Sequence, residues 1–243
     1  MRIPLLSLDT VYHIGTLDGR SPRGRAGADS LEGHCLSVSL CPVGWRGIAR
    51  LGGLPLFGLK KTGGRFLDLL AALEDLDVRG PAIQYARQAG WVVDREAWRA
   101  YTYDPEQEEW RYFTCATEPE AREEADGDGA PDDGGPTVRR TTILAATPAL
   151  ERLLDIRLRL IDASDYALLA WAETVFPAAG IPLDGVWWLE RYDPLALSAP
   201  RGGIFPAQVP SWHADPLDWA AVLDDEDLLA STPDPGPLTV TLP

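Results

Sequence analysis

A chain of 243 residues, 45% of them hydrophobic, is long enough to bury a core of its own as one large domain or two small ones. Its formal net charge of -15, from 37 acids against 22 Lys and Arg, sets up a field that repels phosphate backbones over most of the surface, which argues against non-specific nucleic-acid binding. Cys35, Cys41 and Cys115 form no CxxC pair, which argues against a zinc ribbon, a redox motif or a disulfide framework and suits a reduced cytosol.

Residues 8–17, LDTVYHIGTL, read as a short strand entering a Gly-containing turn. No small-residue cleavage site follows MRIPLLSLDTVYHIG, so a secretory signal is not expected there. Residues 18–33 read as an exposed loop, in which Arg20, Arg23 and Arg25 can supply part of a local basic cleft. Residues 34–40 alternate as a half-buried strand, with Ser37 and Ser39 on one face and Leu36, Val38 and Leu40 on the other. Pro42 suits the first turn of a helix. Trp45, Ile48, Ala49 and Leu51 lie on one face of that helix, and Gly52-Gly53 stops it. That periodicity points Trp45, Ile48, Val38 and Leu36 into one core.

A strand over 54–60, an amphipathic helix over 65–76 and a helix over 81–89 follow. Residues 98–104 and 109–115 read as a β-hairpin around the turn DPEQE. The acidic, Gly/Pro-rich segment 118–137 carries no large apolar residue, and predicts a short helical start and then a disordered surface loop. Further along, 140–146 reads as a strand, 148–155 as a short helix, 156–161 as a strand and 165–176 as a helix. A turn at 180–185 leads into a short strand, Val186-Trp187-Trp188, whose two Trp cannot share a face. Residues 194–203 read as a loop and 204–205 as sheet-edge residues. Residues 214–243 read as an acidic, Pro-rich extension with one helix-like piece near 217–230.

Three constellations can carry chemistry. Tyr12-His13-Ile14-Gly15-Thr16 places a His at a strand end, where Gly15 lets a ligand approach the backbone. A buried His with satisfied hydrogen bonds is the plainer reading. Ser37 and Ser39 offer two hydroxyls for a ribose or phosphate, or are simply the polar face of a strand. Asp184-Gly185-Val186-Trp187-Trp188-Leu189-Glu190, followed by Arg201-Gly202-Gly203-Ile204-Phe205-Pro206, offers a carboxylate just past a strand and an Arg on a loop. No GxSxG elbow, P-loop or HExxH occurs, and the three His do not make a zinc site with these Cys.

Taken in order, the three pieces resemble the ADP-ribosyltransferase superfamily, the fold of bacterial toxins and poly-ADP-ribose polymerases. Members open on a Tyr-His-Gly-Thr-like strand, continue through a Ser-Thr-Ser-like strand and helix, and end on a segment like Asp184-Gly185-Val186, a Glu, and an Ile-Phe-Pro piece. The likeness covers 8–50 and 181–210. Ser37 stands where many members carry an aromatic, and Glu190 precedes Ile204-Phe205-Pro206 by more residues than usual.

The resemblance implies an α+β fold: two small packed, mostly antiparallel sheets with flanking helices and a ligand cleft between them, over one domain, 1–213. It implies NAD as substrate and no metal. The cleft would be lined by Tyr12, His13, Gly15, Thr16, Ser37, Ser39 and Arg201. His13 would hold the adenosine-side ribose, the Gly15 backbone would grip the nicotinamide amide, and Glu190 would stabilise the oxocarbenium-like transition state. Charge favours a protein over a nucleic acid as the ADP-ribose acceptor, in a cytoplasmic toxin or defence effector with no membrane partner. Two other readings stay open. One is a non-catalytic immunity protein or inhibitor whose acidic surface meets a basic partner. The other is a hydrolase or cyclase acting on a nucleotide in the same cleft.

Overall fold

The computed structural model describes residues 1–18, 34–104, 109–126, 138–158, 160–188, 199–223 and 236–241. Two long strands, β1 (Arg2–Ile14) and β3 (Leu56–Asp68), run antiparallel side by side. Leu5 lies opposite Leu67 and Ile14 opposite Leu56, with an irregularity between Leu8 and Thr10. Three short strands, β2 (Leu36–Ser39), β7 (Gly185–Trp188) and β8 (Arg201–Ile204), close these two into a barrel-like ring in the order β1-β2-β8-β7-β3. The β3–β7 contact is parallel; the other pairings in the ring are antiparallel.

The C-terminal residues join this sheet. β9 (His213–Leu217) pairs with β3, and β10 (Gly236–Thr241) pairs with β1. Of the residues read as a C-terminal extension, 214–217 and 236–241 thus pair with this sheet.

Parallel neighbours need a crossover, and this one carries the rest of the molecule. Between β3 and β7 come α2 (Leu69–Glu74), α3 (Leu76–Gln88), the strands β4 (Val92–Asp104), β5 (Glu109–Cys115) and β6 (Val138–Ala146), and the helices α4 (Glu118–Asp126), α5 (Pro148–Leu154) and α6 (Ser164–Ala178). β4 is the centre of a separate three-stranded antiparallel sheet. The α+β class holds.

Local chemistry sets the helix starts. The side chains of Asp68, Asp75 and Thr147 each accept a backbone N–H in the first turn that they cap, which satisfies groups a helix start leaves unpaired. The expected helix over 65–76 begins later, because Arg65–Asp68 belong to β3, whose Phe66 and Leu67 are wholly buried. Residues 156–158 do not form the expected strand; Leu158 N–H bonds the Glu151 carboxylate instead of a neighbouring strand. The hairpin is met, in register from Trp98–Cys115 to Asp104–Glu109. Within the acidic segment, α4 is longer than a helical start and buries Ala121 and Ala125 against Ala100 and Cys115. Small side chains do there what large ones were thought necessary for. Residues 127–137 lie outside the described residues.

Alternation divides the core. Leu36 and Val38 point into the ring with Phe66, Trp187 and Trp212. Trp45 and Ile48, from α1 (Pro42–Ile48), pack on Ile14, Leu51 and Leu56 instead. The single core expected for these four residues is thus two. Trp188 faces away from Trp187, into the largest cluster, beneath α6. Both Trp are buried, and the two faces of β7 thus pack into two separate clusters.

Gly202 and Gly203, read as loop, sit in β8. A Cβ on Gly202 would stand 2.2 Å from the Trp187 ring, and one on Gly203 would stand 2.3 Å from the Cys35 Cβ. Gly47, exposed on α1, has nothing within 4 Å. Gly202→Ala should therefore destabilise the protein by about 1–3 kcal/mol or more through overpacking. Gly47→Ala should be neutral or stabilise by up to about 1 kcal/mol. Thermal unfolding of the two variants beside the wild type checks both signs.

Candidate functional site

The ring brings together the three distant pieces of sequence. β1, β2, β8 and β7 are consecutive neighbours, and one rung crosses them: Tyr12 opposite Ser39, Ser39 opposite Arg201, Arg201 opposite Trp188. Glu190 follows Trp188 by two residues in sequence and lies outside the described residues, as do Asp193, Arg20, Arg23 and Arg25.

The side chains on these strands do not all share a face. Residues opposite one another in a sheet point the same way, and neighbours along a strand point opposite ways. Tyr12, Ser37, Ser39 and Arg201 therefore share the outer face of the ring, and His13 points to the inner face with Val11. The pleat thus places His13 on the opposite face from Ser37 and Ser39, residues that the resemblance assigns to one cleft.

His13 is buried, and both of its ring nitrogens meet backbone carbonyls: Nδ1 meets Ser37 O at 2.7 Å and Nε2 meets Thr16 O at 3.0 Å. Two carbonyl acceptors favour the doubly protonated ring, and so does nearby Asp18. Burial opposes it and is the larger effect, so the pKa lies below the usual 6.5. At neutral pH the ring then has one N–H for two carbonyl acceptors, and which nitrogen carries it depends on the tautomer.

Its neighbours differ in how far they are satisfied. Gly15 (φ 134°) gives its N–H to Pro55 O at 2.9 Å, so that group already has a partner. Thr16 Oγ1 donates to Asp18 at 2.7 Å. Ser39 is fully buried; its hydroxyl donates to Pro200 O at 2.6 Å and accepts from Cys41 N–H, closing the turn after β2. Ser37 Oγ is buried and has no hydrogen-bond partner. Of the described side chains expected to touch ligand, Ser37 Oγ is thus an atom whose bonding capacity the fold leaves unmet, and the His13 ring has one N–H for two carbonyls.

Asp184, the next acid in the third piece, is a structural group. Its carboxylate accepts from Lys61 Nζ and from Arg65 N–H, while its own backbone N–H and C=O bond Arg65 and Phe205. Lys61 also donates to Ser211 Oγ at 2.8 Å. No local pattern announces this pair, because 123 residues separate its members. His34 likewise ties the start of β2 to the helical layer, through Leu154 O at 2.9 Å and Glu173 Oε2 at 2.6 Å.

The three thiols are free and buried, and burial pushes Cys35 far up, Cys41 and Cys115 less so; this removes them as nucleophiles. Asp165, at the start of α6, is raised to about 6 by burial. Its protonated form is favoured in the fold, so the stability it contributes is lost as pH rises through about 6. Among the described residues no cluster of three His, Cys, Asp or Glu could hold a metal, and no helix is long and apolar enough to cross a membrane. Comparison of the chain with family models, with curated proteins and with solved structures returns no match.

Two measurements check this site. Asp184→Asn should cost about 3 kcal/mol, since it leaves Lys61 without its buried partner, and would appear as a lowered denaturant midpoint. The His13 ring, followed by NMR through a pH titration, should titrate below 6.5. Asp18→Asn should lower that midpoint further, because the Asp18 charge is one of the influences holding it up.

Proposed function

We propose that this chain is an NAD-dependent ADP-ribosyltransferase whose site is built on β1, β2, β8 and β7. The observation that carries the reading is convergence: three sequence pieces that match the family in order become four neighbouring strands with one rung in common. Two features support it. The neutral His13 ring has one N–H for two carbonyls, so a ribose hydroxyl that donates to its other nitrogen relieves an acceptor–acceptor contact. On the outer face, Ser37 Oγ is buried without a partner and can take a hydrogen bond. Arg201 stands on the same rung and suits a pyrophosphate oxygen.

In this reading nicotinamide leaves the ribose with its bonding electron pair, an acceptor nucleophile bonds to the anomeric carbon, and the nucleophile's proton passes to solvent. Glu190 opposes the positive charge that builds on the ribose, which is worth more in the transition state than in the bound substrate.

A second reading is a non-catalytic acidic interaction protein. The satisfied state of Gly15 N–H and Ser39 Oγ favours it, because both groups already serve the fold.

Calorimetric titration with NAD separates the two. The wild type should bind. Ser37→Ala, which removes an unpartnered buried hydroxyl, should keep or raise the melting temperature and weaken NAD several-fold. Glu190→Gln should lower nicotinamide release by about 100-fold at little changed NAD affinity. No heat at millimolar NAD in the wild type would overturn the NAD reading and favour the interaction protein.

A further inference from the structure

The three-stranded sheet has two unlike faces. Asp94, Glu96 and Arg140 alternate onto one face, where Arg140 pairs with Glu96 and Arg87 reaches over to Asp94. The other face takes Arg95, Arg99 and Tyr101 from β4, Tyr112 from β5 and Arg139 from β6. No described residue of that second face is a carboxylate, and none of its three Arg has an acidic partner among the described residues. In a chain of net charge -15 this is a pronounced local segregation of charge.

The arrangement is a ladder of flat groups. Tyr101 and Tyr112 face each other across the strands with ring centroids 6.0 Å apart. The Arg99 guanidinium lies 4.5 Å over the Tyr112 ring, and that of Arg139 lies 5.4 Å over Tyr101. Tyr112 is 53% exposed, although half of a Tyr side chain is apolar enough to favour cover. Arg99 Nε is buried with no hydrogen-bond partner. Leu160 covers the far end of this face, over Ala97, Ile143 and Ala145, and among the described residues the Arg–Tyr end is open, with Tyr112 and Arg139 exposed and Arg99 and Tyr101 half-buried.

We propose that this open end binds single-stranded nucleic acid. Bases stack on the exposed Tyr112 and on Tyr101, beside guanidiniums that already lie over these rings. Arg99 and Arg139 meet the phosphates. A duplex keeps its bases stacked on one another and cannot use the rings. The repulsion from the rest of the acidic surface is screened within about 8–10 Å at moderate salt, so contacts made directly on the face survive it. An acidic peptide satisfies the cations and leaves the rings without stacking partners, which is why a strand of nucleotides is the better fit. The proposal stands independently of NAD.

The test is fluorescence anisotropy of a labelled single-stranded 12-mer, as RNA and as DNA, with the full chain in low salt. Binding of the single strand in preference to the duplex is expected, with about two phosphate contacts and a salt slope of about -1.4. Tyr112→Ala and Arg139→Ala should each weaken it at least tenfold. Arg140→Ala, on the same strand but the opposite face, should leave it unchanged. No single-strand binding at 100-micromolar protein (about the weak end of non-specific affinity) overturns the proposal. So does binding indifferent to Tyr112→Ala and Arg139→Ala, or a glutamate peptide that competes as well as the 12-mer.

Discussion

The buried Asp184 carboxylate is the fastening on which the ring depends. A parallel neighbour cannot be reached by a tight turn, so β7 must return to β3 after more than a hundred residues of intervening chain, and something other than connectivity must fix its register. Asp184 does this at the entry to β7. It holds the side chain of Lys61 and the backbone of Arg65 on β3, and its carbonyl takes the N–H of Phe205 just beyond β8. One residue thereby pins three strands. A buried carboxylate is unfavourable unless it is paired and hydrogen-bonded, and here both oxygens have donors. Closure then allows Phe66, Trp187 and Trp212 to pack edge-on inside the ring, and it requires Gly202 beneath the Trp187 indole.

Where the sequence was legible, a single periodicity governed the segment. The hairpin, the short strand at Trp187-Trp188 and the helices at Pro42 and Pro148 all follow from alternation, turn residues and Pro at a helix start, which need no knowledge of distant chain. It was illegible where neighbours decide. β3 runs on through Lys60, Lys61 and two Gly because β1 pairs with it on both sides of the irregularity there, and local propensity would end it earlier. Arg201-Gly202-Gly203 looks like a loop to any local reading; the need for Gly there lies in Trp187 and Cys35, on other strands. Alternation alone assigns Leu36 and Val38 to a buried face, and it does not say that Trp45 belongs to another cluster.

The same limit applied to the site. Order along the chain pointed to β1, β2 and the β7–β8 pair, and those strands are adjacent. Order cannot give the facing of side chains across strands, so His13 was grouped with Ser37 and Ser39 when the pleat separates them. Net charge had a comparable weakness. A sum of -15 describes the average field, and it hid a face on which three Arg and two Tyr gather without a described acid. The alternation of Arg95, Arg99 and Tyr101 in the sequence was the available sign of that face.

His13 shows how burial sets the state of a structural group. Its contacts with Ser37 O and Thr16 O tie the end of β1 to β2 and to the turn that follows β1. The desolvation that keeps the ring neutral leaves it one N–H for these two carbonyls, so it cannot fully satisfy both. The mismatch arises from burial and from rigid placement, and it would vanish if the ring were exposed and free to turn.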